Sequence, residues 1–136
     1  MFASLLVAPT YNLALAAEWM KIQHSVISTR KAAAFYADVA SISRVGNDAR
    51  MWTKFVLKSP ELVNLQKPQN GSYLSGTMLH QYLCTERMTS LLDVRLFRDA
   101  NTEEPVSDKL VGALDRSLQH VAPESAEDAA IKIACK

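Results

Sequence analysis

The residues in this 136-residue chain best suited to chemistry are three histidines and two cysteines. His24, His80 and His120 are widely separated, and none stands in a metal-type spacing such as His-Glu-x-x-His. A metal or haem site would need the fold to gather His80, Tyr82 and His120, and the spacing alone gives no reason to expect one. Serine, histidine and aspartate all occur. None sits in a nucleophile elbow or another setting where a base and an orienting acid would activate a hydroxyl. No catalytic residue, no metal ligand and no cofactor is therefore expected, and His80 reads as a packing or surface residue of a sheet. That leaves Cys84 and Cys135, the second of them one residue from the C-terminus, where chains usually fray.

The elements around the cysteines suggest why they are there. Pro123 blocks a helix before it, Ser125 with Asp128 three residues later resembles a capping box, and acidic residues precede basic ones in the order a helix dipole favours. A helix from Ser125 to the end is expected, with Ile131, Ala134 and Cys135 on one face. Three turns are marginal in isolation, so this stripe has to dock on something. Cys84 falls in the run "SYLSGTMLHQYLCTERM", which reads as a strand with His80, Tyr82, Cys84 and Glu86 on one face. A Cys84–Cys135 bond would clasp the helix to the sheet. Two free buried thiols, or a reactive thiol, are the alternatives.

Upstream, "EWMKIQHSV" and "AAFYADVASISR" read as strands, the second running into a bend, and "VGND" around Gly46 as a turn. "ARMWTKFVLKSP" is a long strand stopped by Pro60. It places Met51, Thr53, Phe55 and Leu57 on one face, and Trp52, Lys54, Val56 and Lys58 on a face that is partly wet. Glu61 to Gly71 reads as a long loop. The next strand follows "SYLSGTMLHQYLCTERM" through a tight hairpin at Arg87 to Ser90, then Asp99 to Pro105 forms another polar loop. Residues 106–121 are ambiguous between a helix bearing Leu110, Leu114, Leu118 and Val121 and a short strand at "SLQHV".

Composition bounds the rest. The length suits one domain, 49% hydrophobic residues suffice for a core, and no internal repeat is visible. A formal net charge of +1 gives no general pull toward nucleic acid, and no nucleic-acid partner is expected. The first seventeen residues are uncharged and contain Ala14-Leu15-Ala16, the small-x-small pattern of a signal-peptidase site. They are too short and too interrupted to span a bilayer. They read as a signal peptide over residues 1–16, although without an opening Lys or Arg. A buried N-terminal helix is the weaker alternative, because Pro9 and Tyr11-Asn12 break its periodicity. No cysteine follows the cleavage site to carry a lipid, so the expectation is an exported protein with no membrane anchor, in a compartment where two cysteines pair.

The order "FYADVASISRVGNDARMWTKF", then "LHQYLCTERM" and a following strand, then "VAPESAEDAAIKIACK" resembles the surface-adhesin protein E family of Gram-negative bacteria. The resemblance covers about residues 18–136 and makes residues 17–136 a single domain. It implies a mostly β, α+β fold: a curved antiparallel sheet of about six strands, with a C-terminal helix packed on one face and tethered by a disulfide, Cys84 to Cys135. It also implies a non-enzymatic binding module for host extracellular-matrix or plasma proteins such as vitronectin, laminin and plasminogen, with homodimers known in the family. The chain departs from the family in lacking a lipoprotein cysteine and in carrying Leu118 where relatives tend to have an aromatic. No ligand-contacting residue carries over. The loops at Glu61 to Gly71 and Asp99 to Pro105, with Lys54, Lys58 and Lys67 beside them, are the surfaces on which a partner could be met. A soluble periplasmic, envelope-associated protein acting on a partner from the same cell is the alternative.

Overall fold

A computed structural model describes residues 16–22 and 32–136. Most of the expected signal peptide and His24 lie outside the described residues. One antiparallel sheet dominates. Its strands are β1 (Trp19–Lys21), β2 (Ala32–Asp38), β3 (Ser43–Val45), β4 (Asp48–Leu62), β5 (Ser72–Leu83), β6 (Met88–Phe97) and β7 (Gln119–His120). The order across it is β1-β2-β4-β5-β6-β7, and β3 pairs with the first residues of β4. Strands β2 and β3 thus share one flank of β4, separated by the bend at Val39–Ser41, so the sheet is six positions wide.

Alternation along β4 explains which face is covered. Ala49, Met51 and Thr53 are fully buried, while Arg50 is exposed and Trp52 and Lys54 are half-buried. Register carries the same parity to its neighbours, since Met51 faces His80, Ala49 faces Tyr82, and Phe55 faces Phe35. Helix α1 (Ala126–Ala134) lies on that face, and Ala126, Ala130, Ile131 and Ala134 pack into one core with Phe35, Ala37, Met51 and Tyr82. Three alanines on the buried stripe let the helix backbone approach the sheet closely.

The helix begins as its sequence dictates, with one change. Ser125 Oγ accepts a hydrogen bond from the Asp128 N–H at 3.1 Å, but Asp128 Oδ2 returns its bond to the N–H of Glu124, one residue before the cap (3.1 Å). Asp128 also pairs with Arg87 in the β5–β6 turn and with Lys132 on the next turn of the helix. At the other end Cys135 is bonded to Cys84 with a Cα–Cα separation of 5.7 Å, and the Arg44 guanidinium donates to the Cys135 carbonyl. Both ends of α1 are therefore fastened to the sheet.

Three local expectations need correction, and one open choice is resolved. Strand β4 does not stop at Pro60 but runs on to Leu62, because the register shifts between Val56 and Glu61 and a proline in such an irregularity breaks no ladder bond. Cys84 is not mid-strand. It opens the four-residue turn 84–87, and the hairpin pairs Leu83 with Met88, so the turn precedes the Arg87 to Ser90 position expected for it. Arg87 takes the left-handed conformation that this turn requires (φ 55°). Of the two readings of residues 106–121 the short strand at "SLQHV" holds, as Gln119–His120, and residues 106–118 are not the helix. They run irregularly along β6 with one short 3-10 turn at Asp108–Leu110, and only Gln119–His120 pairs, as β7. Arg116 ties the segment to β6: Ser90 Oγ donates to its carbonyl, and its side-chain Nε donates to the Leu92 carbonyl.

Candidate binding surfaces

Two loops that are far apart in sequence meet at one end of the sheet. The loop after β4 carries residues 63–71 and the loop after β6 carries residues 98–105. Arg98 joins them, its guanidinium donating to the carbonyls of Ser72 (3.0 Å) and Asn70 (3.3 Å). Gly71 is needed there. Its φ of 82° is left-handed, and a Cβ at this position would lie 2.6 Å from Arg98 Nη1. Asp99 orders the second loop by accepting from the backbone N–H groups of Asn101, Glu103 and Glu104. Those bonds, led by the one from Glu104, hold its carboxyl below the ordinary value. Ser75 Oγ, buried in β5, donates to the Asp99 carbonyl and ties the loop back to the sheet. On this ordered platform Leu65 is 81% exposed and Leu62 40%, with Gln66, Lys67 and Gln69 around them.

Of the lysines placed beside the loops, Lys67 and Lys58 are exposed near this end. Lys54 is not a loop-side residue. It stands mid-strand on the sheet face opposite α1, with Nζ 4.8 Å from the ring centroids of both Trp19 and Tyr36, and partial burial lowers its pKa.

The fold brings the expected histidine set only partly together. His80 and Tyr82 stack on the helix side of β5, centroids 5.6 Å apart, and His80 Nδ1 lies 3.4 Å from Thr89 Oγ1. His120 reaches the same cleft, about 400 Å³ in volume, where Asp115 and Glu127 stand on the rim. Among the described residues no three His, Cys, Asp or Glu side chains are grouped as metal ligands. Burial holds the His80 imidazole neutral, with its pKa lowered to about 4 against a smaller opposing effect of Glu127. Tyr82 is more deeply enclosed still. Burial first, and the charge of Glu127 second, push its hydroxyl above the ordinary value, and that hydroxyl has no hydrogen-bond partner among the described residues. Tyr82→Phe is expected to leave the fold intact and raise its stability by about 1 kcal/mol, because it removes a buried unpaired polar group. A urea midpoint at or above that of the parent agrees with this, and a loss above about 1 kcal/mol would show that the hydroxyl has a partner.

The profile of the family described as Surface-adhesin protein E matches residues 19–136. The chain belongs to that family. Its fold is similar to solved structures of Haemophilus influenzae protein E. The selenomethionine form superposes with a TM-score of 0.62 at 12% identity, covering 85% of this chain and 84% of that one. A second structure of the same protein gives 0.58 at 12% identity, covering 86% and 92%. A structure from a non-typeable strain gives 0.56 at 11% identity, covering 87% and 84%. No curated protein matches by sequence. At these identities the likeness concerns the fold: the family's open sheet, its C-terminal helix and the Cys84–Cys135 tether are all present here.

Sequence reasoning missed three features of these surfaces. Leu65 carries no local signal beyond being apolar inside a polar loop. Arg98 stands beyond the end of β6 and shows its role only when the two loops meet. The lattice of aromatic and cationic residues on the open face depends on strand register, which alternation within single strands does not reveal.

Proposed function

We propose that this protein is an exported, non-enzymatic binding module that engages host extracellular-matrix or plasma proteins through the paired loops at the end of its sheet. The observation that supports this most is Leu65. A large apolar side chain almost wholly in solvent, on loops braced by Arg98 and Asp99 and ringed by polar groups, has the make-up of an interface anchor with a polar rim. Membership of a surface-adhesin family agrees with this use. The ordering of both loops before any partner arrives lowers the entropy cost of association. The test is binding of the disulfide-bonded domain to immobilised laminin, vitronectin and plasminogen, beside Leu65→Asp. The expected result is saturable binding to at least one of the three, weakened more than about tenfold by the substitution. Binding to none of them, or equal binding by the variant, would refute the proposal.

A further inference from the structure

The sheet face opposite α1 carries neither a helix nor a strand among the described residues, and its side chains are ordered by register. Lys21 pairs with Tyr36, Tyr36 with Lys54, Lys54 with Thr77, and Thr77 with Arg95. One straight row therefore crosses five strands and reads Lys, Tyr, Lys, Thr, Arg. Its three cations recur every second strand, a repeat of about 10 Å. The next row holds Trp19 on β1 and Trp52 on β4, with Leu79 opposite Trp52 and Asp93 opposite Leu79. Cations and rings interleave between the rows. Lys54 Nζ lies 4.8 Å from Trp19 and Tyr36, and Arg95 Cζ lies 5.2 Å from Trp52.

Three aromatic rings are thus left half-exposed on one face, each beside a cation. Burying them under the chain would have been the ordinary way to use their apolar area. We propose that this face binds a linear anionic polysaccharide. Sulfate or carboxylate groups would meet Lys21, Lys54 and Arg95, and the sugar rings would lie on Tyr36, Trp19 and Trp52. A chain with charge in each disaccharide presents anions at intervals that suit the row, and the C–H faces of its sugars suit flat aromatic rings.

Charge on this face favours an anion. Asp38 does not neutralise the row, because it is buried and accepts from the backbone N–H groups of Glu18 and Ala40. Asp93 is the nearest carboxylate in the second row, 3.6 Å from Arg95, and both side chains are substantially exposed, so the pair is weak and open to exchange. Other occupants fit less well. Among the described large hydrophobic residues the exposed ones are Met20, Val45, Leu62, Leu65 and Leu118, and none lies in these rows, so the apolar area open to a protein segment is confined to the three half-exposed rings, each already beside a cation. A second copy docked face to face would oppose one cation row to another. Duplex nucleic acid draws its affinity from many phosphate contacts, and three cations are few.

The experiment is retention of the disulfide-bonded protein on immobilised heparin over a salt gradient, with dextran and polyglutamate as the neutral and sugar-free controls. The variants are Lys21→Gln/Lys54→Gln/Arg95→Gln and, separately, Leu65→Asp. Retention on heparin above both controls is expected, with affinity falling at least about tenfold in the triple variant and the salt slope falling by about 2 to 3. Leu65→Asp should bind heparin unchanged, which separates this face from the loop end whether or not the loops bind protein. The Trp52→Ala variant should also lose affinity while keeping its charge. Unchanged near-ultraviolet circular dichroism identifies the variants that remain folded. No retention on heparin, equal retention on polyglutamate, or full retention of a folded triple variant would each overturn the proposal. The second of these would point to an acidic protein segment instead.

Discussion

Removing the Cys84–Cys135 bond will cost the domain about 4 kcal/mol, the chain-entropy value for a loop closed across 51 residues. The effect is large because of where the bond sits. Helix α1 has nine residues, too few to persist in water without docking, and Cys135 is its C-terminal cap. Its other fastenings are a buried stripe of three alanines and Ile131, the Asp128 cluster at its first turn, and the Arg44 bond to the Cys135 carbonyl at its last. With the bond reduced, the last turn is free to fray, and Ala134 with it. In urea this should appear as a midpoint lowered by about 2 M. The amide protons of α1 should exchange early while those of β4 and β5 stay protected, since the central strands have ladders on both sides. Cys84→Ala/Cys135→Ala should match the reduced protein. A midpoint within about 0.3 M of the oxidised protein would show that packing alone holds the helix.

The second large effect is on acid stability, and it comes from His80. Its imidazole is buried against Tyr82 and its pKa in the fold is lowered from 6.5 to about 4. Between those values the unfolded chain binds a proton that the folded protein does not, so stability falls as the pH is lowered from 6.5 and levels off near 4. Two and a half pH units correspond to about 3 kcal/mol. Asp128 adds to the loss at still lower pH. Its depressed carboxyl, held down first by the Glu124 N–H and then by Lys132 and Arg87, stabilises the fold above the ordinary 3.8 and loses that effect as the pH falls through the folded value. Urea melts at pH 7 and pH 4.5 should therefore differ by about 2 to 3 kcal/mol in the parent, and by much less in His80→Phe. Equal slopes in the two proteins would place the acid sensitivity elsewhere.

Much of this architecture is legible in the chain because alternation is unusually clean where it matters. Met51, Thr53 and Phe55 against Trp52, Lys54 and Val56 identify the two faces of β4, and Ser125 to Cys135 announces a docked helix with a thiol at its end. Failures occurred where local signals compete with tertiary contacts. Pro60 ordinarily ends a strand, but a register shift in β4 absorbs it. Leu110, Leu114 and Leu118 have helical spacing, yet the segment they occupy follows the edge of β6, where Ser90 Oγ bonds the Arg116 carbonyl and the Leu92 carbonyl accepts from the Arg116 side chain. The binding surfaces were the least legible part. The cation row exists only when β1, β2, β4, β5 and β6 are aligned, so no window of sequence contains it. The loop platform likewise depends on Arg98 reaching Asn70 and Ser72 across the end of the sheet.

Both surfaces serve a binding protein only if partners can reach them. Protease shaving of intact cells expressing the full-length protein, followed by immunoblotting of cells and medium, tests that most directly. Loss of the cell-associated signal, or its appearance in the medium, is the result expected of a surface-displayed or released module. Complete protection until the outer membrane is opened would contradict the adhesin reading and turn the search to a partner inside the periplasm.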